Sequence, residues 1–109
     1  MKKTDKKLDN QLCRELTKVC ELAKDCYAGF EWLTHWVNYQ DFPASLVVLC
    51  VYDTDAQLAS ADRTGVRRLV ATGLHSMGVE LADLSRQVRF DSEESCARED
   101  NGRWQKRLG

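Results

Sequence analysis

A short, continuous apolar run in the middle of the chain constrains the fold most strongly. Residues 46–52 read Leu-Val-Val-Leu-Cys-Val-Tyr, and the run ends at once in Asp53-Thr54-Asp55. Because the run is apolar at odd and even positions alike and is rich in β-branched residues, it predicts a strand buried on both faces. We therefore expect this strand to form the centre of the fold.

Length and composition indicate one small domain. The chain has 109 residues, of which 43% are hydrophobic and 30% charged, so we expect residues 1–109 to form a single domain with a flexible basic lead-in at residues 1–6. The formal net charge of -1 removes a general electrostatic drive toward nucleic acid. No apolar segment follows Met1-Lys2-Lys3 as in a secretory signal, and no run approaches the roughly 20 residues of a membrane span. These features predict a cytoplasmic protein without membrane contact.

The cysteines predict reduced thiols rather than a disulfide framework. Their number is odd and no two are spaced as C-x-x-C; they are Cys13, Cys20, Cys26, Cys50 and Cys96. Metal ligands normally arrive in closely spaced pairs, which disfavours a structural zinc site among the cysteines and histidines. No spacing couples His35 or His75 to a nucleophile. We expect no cofactor.

Two long amphipathic helices flank the central strand. The first is predicted over about 7–28, from apolar residues at three- and four-residue steps: Leu8, Leu12, Leu16, Val19, Ala23 and Tyr27. The second is predicted from about Asp62 to Met77 with Gly78 as its C-terminal cap. A capping box at residues 54–57 predicts a short helix to about 61, and acids at 91–94 predict another to about 99.

Two further segments predict strands. The five aromatics of residues 30–42 include an alternation of Trp32, Thr34 and Trp36 that suits a strand, although a helix aligning Phe30, Leu33 and Val37 is the alternative. A turn at residues 40–43 favours a hairpin with the central strand. Residues 83–91 return to a period of two, with Leu84, Val88 and Phe90 on one side and Arg86 on that same side.

The order of these elements predicts an α+β fold. It would contain a small three-stranded mixed sheet, built from a β-hairpin and a right-handed β-α-β crossover. An N-terminal helix, a central helix and a short C-terminal helix would pack on this sheet, and we expect Trp104 in the tail to dock on the domain.

The aromatic stretch is the first candidate site. Trp32 and Trp36 would share one face of a strand and could anchor a protein partner or a second copy of the chain. His35 and Tyr39 would complete this partner-binding surface. The competing interpretation is that these rings cover the core.

Nucleic-acid binding is an alternative function. Arg67, Arg68, Arg86 and Arg89 are its candidate contacts, whereas the acids among them favour a mixed, solvated surface. The tripeptide Ala71-Thr72-Gly73, with helix-strand-strand-helix-strand order over residues 8–91, is similar to the variant KH domains of ribosome-binding factors. That resemblance implies a KH-like module associated with RNA or ribosomes.

A carboxylate cluster gives the third possibility. If the central and last strands are parallel, Asp53, Asp55 and Asp91 lie at one edge of the sheet. Carboxylates there could hold magnesium or manganese for phosphotransfer or hydrolysis, or simply cap the helices that follow. With no catalytic signature above these patterns, we expect a binding or adaptor domain that acts through protein contacts, as a homodimer or with another protein.

Overall fold

A three-stranded mixed sheet with helices packed against it confirms the predicted α+β class. The structure is a computed structural model that describes residues 2–109. Its elements are α1 (Lys3–Cys26), β1 (Phe30–Trp36), a single 3-10 turn (Tyr39–Asp41), β2 (Val47–Tyr52), α2 (Asp55–Ala59), α3 (Arg63–His75), α4 (Leu84–Gln87), β3 (Val88–Ser92), α5 (Glu93–Asp100) and α6 (Trp104–Leu108). Across residues 2–109, no helix combines the length and apolarity needed to cross a membrane.

The sheet order is β1-β2-β3, with β2 in the centre as predicted. β1 and β2 form an antiparallel hairpin in which Trp36 pairs with Val47 and Thr34 with Leu49. β2 and β3 are parallel, and α2 to α4 form the crossover between them. β1 is therefore an edge strand with a neighbour on one side only.

All six residues of β2 are buried, so both faces of the sheet are covered. Val48, Cys50 and Tyr52 belong to the main hydrophobic core with residues of α1 and α3, among them Leu16 and Val70. We call this side the helical face. Val47, Leu49 and Val51 alternate with those residues and point to the opposite side, which we call the tail face.

The C-terminal helix α6 covers one end of the tail face. Trp32, Val51 and Asp91 are paired across the three strands and form a row on that face. The Trp104 ring packs edge-on against Trp32 with centroids 4.9 Å apart, and the Arg107 guanidinium binds Asp91. α6 therefore lies over this row, which explains why Val51 is fully buried.

Hydroxyl side chains cap the starts of α2 and α5, and the cap at Thr54 is the one that the sequence predicted. Thr54 accepts a hydrogen bond from the backbone N–H of Gln57 at 3.1 Å. Ser92 accepts one from the N–H of Ser95 at 3.0 Å, so α5 begins directly where β3 ends. Each cap satisfies a donor that would otherwise lack a partner in the first helical turn.

The strand predicted over residues 83–91 begins only at Val88. Asp83 caps the helical turn α4, because its carboxylate accepts the backbone N–H of Arg86 at 3.2 Å. The Gln87 side chain fixes this turn further by donating to the carbonyl of Leu46 at 3.1 Å. Arg86 is therefore exposed on a helix rather than placed on the apolar side of a strand.

The two ends of the chain also differ from the sequence predictions. α1 runs over Lys3–Cys26 instead of about 7–28, so it includes most of the basic lead-in. The tail forms a helix, α6, that the sequence pattern did not predict, although the docking of Trp104 is confirmed.

Gly73 lets the two long helices approach closely. A Cβ atom at this position would lie 2.5 Å from Cγ2 of Val19 on α1, far inside van der Waals contact. Val19 is buried and β-branched, so its side chain has few other rotamers available in a helix. The glycine is thus explained by packing between α1 and α3.

We expect Gly73→Ala to destabilise the protein despite the better helix propensity of alanine. Overpacking costs roughly 1–3 kcal/mol, and the stiffness of Val19 places this case in the upper part of that range, above the ~1 kcal/mol gained in propensity. Val19→Ala should relieve the clash. The double variant should therefore lose less unfolding free energy than the two single variants lose in sum. Urea unfolding of the four proteins tests this, and strictly additive free energies would contradict it.

Candidate functional sites

The four residues predicted to form one partner-binding surface lie on two sides of the sheet. Trp32 and Trp36 point to the tail face, whereas His35 alternates with them and faces α1. Tyr39, in the 3-10 turn, also reaches α1, where its hydroxyl donates to Asp9 Oδ1 at 2.5 Å. The structure therefore does not bring these four side chains together.

Trp32 is engaged within the domain. Its indole N–H donates to the Glu93 carboxylate, and the indole N–H of Trp104 donates to the same carboxylate at 3.1 Å. With the two rings in edge-to-face contact, this arrangement attaches α6 to β1. The main role of Trp32 in the fold is therefore to hold the tail.

Trp36 is the aromatic that remains exposed at the other end of β1. Its relative exposure is 40%, and it pairs with Val47, whose side chain points to the same face. Arg89 lies in the adjacent row of that face, opposite Leu49. Val47, Arg86 and Arg89 also line a shallow groove of about 220 Å³. We call Trp36, Val47, Arg86 and Arg89 the Trp36 surface.

The four arginines predicted as nucleic-acid contacts do not form one surface either. Cζ of Arg67 lies 5.0 Å from the centroid of the Phe90 ring, and its Nε donates to the Val88 carbonyl at 3.3 Å. Arg67 is therefore bound at the edge of β3. Arg68 lies on α3, exposed and away from that edge. Arg86 and Arg89 do lie together, since Arg89 Nε donates to the Arg86 carbonyl at 2.9 Å.

The three aspartates predicted to bind a divalent cation are held separately. Asp55 accepts hydrogen bonds from Ser92 and Ser95, both at 2.5 Å, and pairs with Arg98 at 2.7 Å. These contacts, led by the two serine hydroxyls, lower the pKa of Asp55 from 3.8 to about 2. Asp53 is exposed. The two helices that follow are capped by Thr54 and Ser92 rather than by these acids, and Asp55 instead takes part in hydrogen bonds and an ion pair.

The Asp91 carboxylate is bound by Arg107 of the C-terminal helix α6. Arg107 contacts its two carboxylate oxygens at 2.6 and 2.9 Å and also reaches Glu99 and Asp100 at 3.2 and 3.0 Å. This bidentate geometry is the strong form of an arginine–carboxylate pair. Hydrogen bonding to Asp91 raises the pKa of Arg107 further above its usual range. Arg107 therefore fastens α6 to β3 and α5.

A different set of metal-ligand types meets on the helical side. Among residues 2–109, one group of three or more such side chains has ligand atoms within 4.8 Å of one another: Asp9, Cys13 and His35. Asp9 and Cys13 are four apart on α1 and thus share a helix side, and β1 places His35 opposite them. Sequence reasoning missed this group because the packing of α1 on β1 is needed to join the two parts.

The group lies at an open groove between α1 and β1, about 380 Å³ in volume. Cys13, Cys20, Leu33 and His35 are among its lining residues. Burial lowers the pKa of His35, against an opposing effect of Asp9, so the imidazole is neutral near pH 7. Burial, followed by the Asp9 charge, raises the pKa of the Cys13 thiol. A protonated thiol beside a neutral imidazole is not an activated nucleophile.

No protein-family model, curated protein or solved structure matches this chain. Gly73, the last residue of the tripeptide that resembles variant KH domains, packs against Val19 in this fold.

The Asp55 contacts predict how stability depends on pH. The folded-state pKa of about 2 lies below the ordinary 3.8, so this carboxylate stabilises the fold above about pH 4 and ceases to do so as the pH falls through 2. Asp55→Asn should lower Tm near neutral pH, and its difference from the native protein should shrink toward pH 2. Thermal unfolding followed by circular dichroism measures both.

Asp53→Asn is the matched control, because this neighbouring carboxylate is exposed. It should leave Tm nearly unchanged at both ends of the pH range. A Tm difference for Asp55→Asn that stayed constant across the acid range would contradict the assignment.

Proposed function

We propose that this protein is a binding domain that holds a partner polypeptide on the Trp36 surface, and that the partner presents an apolar side chain beside carboxylates. The observation that carries the proposal is the 40% exposure of Trp36 on the tail face, where it pairs with Val47, a residue that lines the same groove as Arg86 and Arg89. Tryptophan and arginine are the residues most enriched among energetically dominant contacts of protein interfaces.

The apolar part of the surface supports a protein ligand. Trp36 and Val47 form one cross-strand pair, and Ala44 and Ala82 border the groove beside Val47. A bulky apolar side chain inserted here would be enclosed by the walls of the groove, beside Val47, whose cross-strand partner is Trp36. Such enclosure removes water from both partners, which is the main favourable contribution to association.

The charge on this surface supports an acidic ligand. Among the described residues, no carboxylate lies within 4.0 Å of the guanidinium of Arg86 or Arg89. By contrast, Arg98 and Arg107 are both paired within the chain. The unpaired guanidiniums can bind carboxylates of a partner in the planar, two-bond geometry that arginine favours.

The positive charge is local, which favours a polypeptide over a nucleic acid. Asp83 lines the same groove, and hydrogen bonds from Ser85 and from the backbone of Arg86 lower the pKa of its carboxyl. Arg67 is engaged at the edge of β3, and Arg68 belongs to a different groove. A phosphate backbone needs a continuous basic track, whereas a peptide with one or two acids does not.

Selection of random dodecapeptides on the native protein, with counter-selection on Trp36→Ala, tests the proposal. The enriched peptides should combine a bulky apolar residue with acids, and calorimetry should give their affinity. Trp36→Ala should weaken binding roughly 30-fold, since anchor residues contribute about 2 kcal/mol or more. Arg89→Glu should weaken binding and reduce its dependence on salt.

Two exposed residues elsewhere provide matched controls. Leu22→Ala removes an apolar side chain that is 51% exposed on α1, and Arg68→Glu reverses a charge on α3. Neither should change the affinity. Peptides that bind Trp36→Ala equally well, or tighter binding of single-stranded oligouridine, would overturn the proposal. So would a dimer seen by light scattering that Trp36→Ala dissociates, because the occupant would then be a second copy.

A further inference from the structure

We propose that Asp9, Cys13 and His35 form a zinc site at the groove between α1 and β1. It lies on the helical side of the sheet and shares no residue with the Trp36 surface. The three side chains offer one oxygen, one sulfur and one nitrogen ligand, and these atoms lie within 4.8 Å of one another. Carboxylate, thiolate and imidazole are the ligands that zinc takes in proteins.

The spacing of the ligand atoms is close to what a tetrahedral ion requires. Zinc–ligand bonds of roughly 2.0–2.3 Å place neighbouring ligand atoms about 3.3–3.6 Å apart. Nε2 of His35 and Oδ1 of Asp9 are 4.0 Å apart. Cys13 is exposed, which leaves its side chain free to rotate toward the other two ligands. Closure around an ion therefore needs side-chain movement without a change of fold.

The charges of the bound ligand types suit a dication. An imidazole, a carboxylate and a thiolate together carry two negative charges, which balance Zn²⁺. Zinc deprotonates the thiol that it binds, so binding should release a proton. Magnesium and calcium prefer oxygen ligands throughout and fit this mixed set poorly.

Tyr39 positions one of the ligands. Its hydroxyl donates to Oδ1 of Asp9 at 2.5 Å, the same oxygen that lies 4.0 Å from Nε2 of His35, and so orients the carboxylate. Hydrogen bonds of this kind to metal-binding carboxylates orient the ligand. Since Tyr39 comes from the turn after β1, the arrangement draws on α1, on β1 and on the connection to β2.

Three protein ligands leave the fourth zinc position open to the groove. Structural zinc sites normally have four protein ligands, whereas three ligands and a water are typical of sites that bind or activate a further molecule. The adjoining groove of about 380 Å³ has space for such a molecule. We therefore infer an accessible zinc ion rather than one that only stabilises the fold.

Titration of the reduced full-length protein with Zn²⁺ and Co²⁺ tests this site. We expect one ion per chain, and Co²⁺ should give tetrahedral d–d bands and a thiolate-to-metal charge-transfer band. Cys13→Ser should abolish the charge-transfer band, and Asp9→Asn and His35→Gln should each weaken Zn²⁺ binding at least 100-fold. Tyr39→Phe should weaken it roughly 10- to 100-fold, as for other residues that orient a metal ligand.

Control variants separate this site from adventitious binding. Cys20→Ser removes the other thiol of the groove, Cys26→Ser an exposed thiol at the end of α1, and His75→Gln the second histidine. None of the three should change the spectrum or the affinity. The proposal is overturned if no ion binds with saturation, if Cys13→Ser keeps the charge-transfer band, or if Cys20→Ser alone removes it. Should His35→Gln fail to fold, the exposed position of Cys13 keeps the test decisive.

Discussion

Burial of β2 on both faces is the constraint from which the rest of the structure follows. A strand with apolar side chains at every position needs a cover on each side of its sheet. The long helices α1 and α3 supply the cover on one side, through an apolar interface so close that Gly73 is required. The other side is covered at one end by the small helix α6, which is held by one aromatic pair and by the ion pairs of Arg107.

Sequence patterns predicted the elements whose signals are local. The buried run of β2, the periodic faces of α1 and α3, and the cap at Thr54 follow from spacing and hydrogen-bonding chemistry alone. The predicted start of β3, at residue 83, is wrong. An alternating pattern also fits a helical turn when an aspartate precedes and caps it. The helix α6 was missed, since five residues contain too little periodicity to identify a helix.

The candidate sites were harder to predict because they depend on which side chains meet across elements. Aromatic residues can be counted in a sequence, but their exposure cannot. Trp104, far along the chain, covers Trp32, whereas Trp36 stays exposed. Similarly, Asp9 and Cys13 gain significance only where β1 places His35 against them. Conversely, Asp55 and Asp91 are paired with Arg98 and Arg107, which no spacing rule relates to them.

The alternation of β1 has a mechanical consequence. His35 and Trp36 are consecutive residues, yet one side chain enters the groove beside α1 while the other lies on the opposite side of the sheet. A single peptide unit thus joins the two surfaces at the last pairs of an edge strand, whose backbone pairs with β2 on one side. Rotation of that peptide unit would displace both side chains at once. The two sides of the sheet are therefore connected through the backbone of β1, without any movement of the hydrophobic core.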